Sequence, residues 1–181
     1  EQGRWDIVQE QFRRVREIAE EHDYLYMLVT LFQINYTMLD MMPHPDYQHT
    51  AREAENMFEQ MPDKGYKGLK SHVMAAHAYC MMRLNNMEKA WSSLKKAMVY
   101  ARESGEKESE LHRVVEAALY HALENQLEKA SKLVGAAEAY SEFSGYPIIA
   151  TGEAQANDVK RLAEGESKSS EWYNEGRKMP F

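Results

Sequence analysis

At 181 residues, 44% of them hydrophobic, the chain is long enough for one domain with a sizeable core. Its 29 acidic against 22 basic residues give a formal net charge of −7, which argues against a nucleic-acid surface, since phosphate binding needs a basic patch. One cysteine, Cys80, rules out an intramolecular disulfide, and the opening Glu1-Gln2-Gly3-Arg4 is unlike the basic-then-apolar run of a signal peptide.

The first predicted helix covers residues 3–21. Trp5, Val8, Phe12, Val15 and Ala19 step by three and four along it, with Ile18 beside them and Ile7 widening the face. Its end, Ile18-Ala19-Glu20-Glu21-His22-Asp23, is in register with Tyr100-Ala101-Arg102-Glu103-Ser104-Gly105 further on. That register makes it the second helix of a hairpin whose first helix is missing, so the chain is expected to start inside a repeat array.

Residues 24–42 form a predicted first helix, apolar on most sides and uncharged before Asp40. Thr30, Gln33, Asn35 and Thr37 interrupt it and its length only just matches a bilayer core, so no membrane span is expected. A strand over Tyr26–Phe32 is the alternative, set aside because both neighbours are helical. Pro43-His44-Pro45 ends the helix, because proline cannot continue the hydrogen-bond ladder. Its partner covers residues 47–61, with Ala51, Ala54, Met57, Phe58 and Met61 on one face, and Pro62-Asp63-Lys64-Gly65 closes it.

The clearest signal follows. Asn85-Asn86-Met87-Glu88-Lys89-Ala90 runs on to Ala97, Tyr100, Ser104 and Gly105. Asn125-Gln126-Leu127-Glu128-Lys129-Ala130 runs on to Ala137, Tyr140, Ser144 and Gly145 with the same spacing, and an alanine precedes each copy, at Ala78 and Ala118. This is an internal repeat. Each copy reads as two helices. Leu69, Val73, Ala76, His77, Cys80 and Leu84 face Ala90, Leu94, Ala97 and Ala101. Leu111, Val114, Val115, Ala118, Leu119 and Leu123 face Leu127, Ala130, Leu133, Val134, Ala137 and Tyr140. Gly105 and Gly145 are C-terminal stops. Ala51, Ala90 and Ala130 are 39 and then 40 residues apart, longer than the roughly 34-residue tetratricopeptide unit. One hairpin cannot bury its apolar face alone, so stacked neighbours must.

The expected fold is therefore all-α, a right-handed superhelix of antiparallel helical hairpins, or TPR-like solenoid. Residues 1–146 are the array and residues 147–181 its capping helices in the same domain. The latter comprise a weak helix over Thr151 to Glu164, a polar break at residues 165–170, and a short helix from Glu171 carrying Trp172. The 12 methionines suit irregular core gaps or an adaptable binding surface.

Glu128-Lys129-Ala130-Ser131-Lys132-Leu133-Val134-Gly135-Ala136-Ala137-Glu138-Ala139, followed later by Trp172, Gly176-Arg177 and Met179, resembles a known arrangement. It is similar to the C-terminal tetratricopeptide-like region of large bacterial ATP-binding LuxR-type transcription regulators and ATPase-linked nucleotide cyclases. The likeness covers roughly the last sixty residues. Three residues rather than two separate Trp172 from Gly176, Val134 stands where a second leucine is common, and Tyr140 replaces an apolar residue. The resemblance implies a non-catalytic cytoplasmic module that senses a protein partner or inducer, set between an ATPase domain and an output domain. The motifs of neither domain are present.

No phosphate-loop pattern occurs, Gly65-Tyr66-Lys67-Gly68 being the nearest glycine pair. Cys80 has His77 three residues earlier, a spacing that serves a thiolate nucleophile but also an ordinary buried pair. The seven histidines show no metal-binding spacing, and acidic pairs such as Glu106 with Glu108 fall at turns. Neither metal nor cofactor is expected. Repeat arrays expose successive first helices on one face, which suits a peptide or small ligand. The candidates there are Asn35, Tyr36, His72, Tyr79, Arg83, His112, Tyr120 and His121. The expected function is binding of a protein, peptide or inducer within a regulator, with no direct nucleic-acid contact and a homodimer permitted. The alternatives are a free-standing adaptor or chaperone-like scaffold and, more remotely, a small enzyme built on Cys80 and His77.

Overall fold

The computed structural model describes residues 2–42, 44–62 and 64–181, with side chains from Ile7 onward. Trp5's side chain, Pro43 and Asp63, all used above, lie outside the described residues. The elements are α1 (Gln2–Glu21), α2 (Leu25–Thr37), α3 (Tyr47–Gln60), α4 (Lys67–Arg83), α5 (Met87–Ser104), α6 (Lys107–Leu123), α7 (Leu127–Ser144), α8 (Ala150–Ala163) and α9 (Ser169–Gly176). A 3-10 turn, Leu39–Met41, follows α2. The chain is all-α, without a strand among the described residues.

The repeat is visible in the backbone. Asn85 and Asn125 both adopt left-handed φ, 56° and 58°. The amide of the next residue then reaches back five residues, Asn86 to the Met81 carbonyl and Gln126 to that of His121, each at 2.8 Å. This is the Schellman closure, which satisfies carbonyls orphaned at a helix end. Gly105 and Gly145 stop the second helices with φ of 75° and 76°. Asp23, the residue in register with them, has φ of 55°. Tyr24 N–H meets the Ala19 carbonyl at 2.8 Å, the same five-residue return that closes α4 and α6.

The helices form two rows. The first helices α2, α4, α6 and α8 touch in succession, while α3 and α5 pack on α4, and α5 and α7 on α6. Small residues set the spacing: Ala90, Ala97, Ala101, Ala130 and Ala137 are completely buried, with Leu94 and Val134 filling between them. Lying between α3 and α5, α4 is buried from Lys70 to Met82 apart from His72. Met57, Met61, Met74, Met81 and Met82 are core residues, whereas Met27, Met41 and Met179 are exposed.

Some residues depart from the expected pattern. The helix expected to reach Met42 stops at Thr37. Asp40 in the turn that follows accepts hydrogen bonds from two tyrosines, and Met42, preceding a proline, is extended at φ −73°, ψ 143°. α2 and α3 do not close a tight hairpin: α3 lies on α4, and Val29 and Phe32 of α2 share one hydrophobic cluster with Ala54 and Met57 of α3. Leu84 and Leu123, assigned to apolar stripes, are exposed at the ends of α4 and α6. On α1, Val15 is 38% exposed where its counterparts Ala97 and Ala137 are fully covered by first helices.

The C-terminal elements fold back on the array, α8 against α6 and α7, and α9 along α7. No helix among the described residues is long and apolar enough to cross a membrane.

Candidate functional site

The first-helix row carries a polar and aromatic cluster at one end and an open cleft at another point. The cluster centres on Asp40. Tyr47 Oη donates to Asp40 Oδ1 at 2.6 Å, and Tyr79 Oη donates to Asp40 Oδ2. Arg83 Nε donates to Tyr47 Oη at 3.2 Å, its guanidinium lying over the Tyr47 ring. Tyr36 meets Tyr79 edge to face at 5.8 Å. Burial, reinforced by the Asp40 bond, holds the Tyr79 phenol well above its ordinary range, and burial together with Asp40 raises Tyr47. Both tyrosines therefore stay protonated donors, and Asp40 remains partly open to solvent.

The cleft, about 500 Å³, lies between α2 and the N-terminal turns of α4 and α6. Tyr26, Gln33, Tyr66, Leu69, His72 and Glu106 line it. Ser109 Oγ donates to Glu106 Oε2 at 2.9 Å and lies 3.2 Å from His72 Nε2. Since the serine proton goes to the carboxylate, Nε2 of His72 carries a proton and donates to Ser109. Burial, with Arg113 and His112 nearby, pushes the imidazole down to about 3, so His72 is neutral.

No family model, characterised protein or solved structure matches this chain.

Of the eight residues expected to bind, Tyr36, Tyr79 and Arg83 come together around Asp40, and His72 lines the cleft. Asn35 is half-buried next to Tyr36, and its Oδ1 has no partner. The other three lie elsewhere. His112 packs against the 147–149 link, its Nε2 receiving the Ile149 amide at 3.4 Å. Tyr120 stacks on Trp91 at 4.9 Å, and His121 lies 5.6 Å from the same indole, so both serve the α5–α6 contact.

Asp40 and Tyr47 were not singled out from the sequence, and Glu106 was read with Glu108 only as an acidic pair at a turn. Tyr47 and Glu106 sit at helix starts and Asp40 follows α2, so no helical periodicity marks them. A buried ion pair also went unnoticed. Arg113 holds Glu116 through Nε at 2.7 Å and Nη2 at 2.9 Å, while its Nη1 donates to the Ser71 carbonyl and hydroxyl at 3.1 Å each. Burial still raises the Glu116 carboxyl above the usual range. The signal available was two opposite charges three residues apart, enclosing Val114 and Val115 and followed by Ala117-Ala118-Leu119.

Cys80 and His77 do not form a nucleophile pair. Cys80 is fully buried and burial pushes its thiol up to about 12. His77 Nδ1 lies 2.7 Å from Ser93 Oγ and its Nε2 3.1 Å from Glu55 Oε1, so both nitrogens look away from the thiol. No cluster of three metal-ligating side chains occurs among the described residues.

Proposed function

We propose that this chain is a non-catalytic TPR-like module that receives a protein partner or small inducer on its first-helix row, within a cytoplasmic bacterial signalling or transcription regulator. Differential affinity of that partner for two states of the regulator is the physical route by which such a module transmits a signal. One observation carries the reading. The two stretches on which the family resemblance rests, around Gly135 and around Gly176, pack against each other on α7 and α9 through 40 intervening residues. Glu138 accepts from Tyr173 Oη and pairs with Lys160, Arg177 forks onto Glu142, and Lys132 bridges to Glu175. A motif whose halves are far apart in sequence and joined in space behaves as one structural unit.

The coding sequence on both sides of these residues tests the regulator assignment. An ATPase domain upstream and an output domain downstream are expected. Stop codons immediately beyond both ends would overturn the assignment in favour of a free-standing adaptor or scaffold.

A further inference from the structure

We propose that the cleft between α2, α4 and α6 binds a positively charged guanidinium or alkylammonium group, carried on a small molecule or on a peptide side chain. The inference rests on the first-helix row being the binding face and names the chemistry that it recognises.

Two helix N-termini converge on this cleft, and alone they would favour an anion. The chain supplies that anion itself. A Cβ on Gly68 would stand 2.6 Å from Glu106 Oε1, so the carboxylate lies directly across the first turn of α4, in space that the glycine leaves free. Ser109 uses one lone pair of Glu106 Oε2. The remaining acceptor capacity belongs to the only charged side chain lining the cleft among the described residues. His72 is neutral, and Lys67, in the same first turn of α4, is held by Glu103 at 2.9 Å. The lining thus offers a carboxylate and, among the described residues, no cation, in a chain already at −7.

The other walls suit a cation too. Tyr26, which is 66% exposed, and Tyr66 line the space, and aromatic rings attract cations. Leu69 offers apolar surface to an alkyl stem, and Gln33 an amide oxygen. The volume of about 500 Å³ admits a small molecule or a few peptide residues.

The experiment is titration of the ¹⁵N-labelled chain with agmatine and, separately, with the peptide acetyl-Gly-Arg-Gly-amide at low salt. Saturable shifts on α2 and on the first turns of α4 and α6 are expected with at least one probe, and the better probe distinguishes a free amine from a peptide-borne one. Affinity should fall about tenfold or more in Glu106→Gln and in Tyr26→Ala, and stay unchanged in Asp40→Asn. Glu106→Gln keeps an oxygen for the Ser109 hydroxyl, and an unaltered melting curve verifies its fold. Failure of both probes to saturate, or binding indifferent to Glu106→Gln, would overturn the inference. Loss in Asp40→Asn instead would overturn it while leaving the first-helix row as the binding face. Shifts confined to α5 and α7 would overturn both.

Discussion

Gly135 of α7 and Gly176 of α9 lie where the two helices press backbone to backbone. A Cβ on Gly135 would stand 2.2 Å from the Tyr173 carbonyl oxygen, and one on Gly176 would stand 2.0 Å from that of Lys132. Neither obstacle is a flexible side chain, so the helices must separate to admit even a methyl group. Gly135→Ala and Gly176→Ala are each expected to destabilise the chain by about 1–3 kcal/mol, as overpacking does. Because the two act on one contact, the double variant should cost less than the sum. Urea unfolding followed by circular dichroism measures both; wild-type midpoints in the single variants would refute the close contact.

Arg113 and Glu116 are both buried and pair with each other through one hydrogen bond and a 2.7 Å ion-pair contact. Removing one partner strands the other charge, so Glu116→Ala or Arg113→Met should cost about 3–5 kcal/mol. Replacing both by apolar residues of similar volume should recover much of that loss. Chemical denaturation of the three variants checks the pattern. A double variant as unstable as the worse single one would contradict it.

Four histidines, His72, His77, His112 and His121, have imidazoles pushed down chiefly by burial. For a group whose folded pKa lies below its unfolded value of about 6.5, the unfolded chain binds more protons between the two, so stability rises with pH across that interval. For His72 the window runs from 6.5 down to about 3, stability being complete above it and lost as pH falls through it. By pH 5 His72 alone should remove about 2 kcal/mol. Thermal melts at pH 7.5 and 5.0 should show a smaller acid shift in His72→Gln than in the wild type. Equal shifts would mean that His72 titrates normally.

With the Cys80 thiol pushed up to about 12, the thiolate fraction at pH 8 is on the order of one in ten thousand. Iodoacetamide should leave the native chain unmodified and label it at once in urea. Rapid native labelling would restore the Cys80–His77 nucleophile as a live alternative.

Much of the array was legible in the sequence because its devices are local. Asn85 and Asn125 mark the Schellman turns, Gly105 and Gly145 the helix ends, and the buried alanines recur at fixed spacing. The register of Asp23 with Gly105 reappears in the backbone, where both residues take left-handed φ. What escaped depends on contacts between distant segments. Asp40 draws Tyr79 across 39 residues, and Glu106 covers Gly68 from another helix. Tyr120 and His121 look like surface groups on a helical wheel, and only the stacked Trp91 reveals their use in packing. Gly135 and Gly176 were both quoted in the resemblance, yet their mutual contact is visible only once α9 is laid on α7.

The central claim, that a partner is received on the first-helix row, is tested most directly by site-specific photocrosslinking. A benzoylphenylalanine would be placed at Tyr26 or Arg83 on the first helices, and at Lys95, exposed on the second helix α5. The account predicts a discrete adduct from Tyr26 and Arg83 and none from Lys95. Adducts from Lys95 alone would place the partner on the second helices and contradict it.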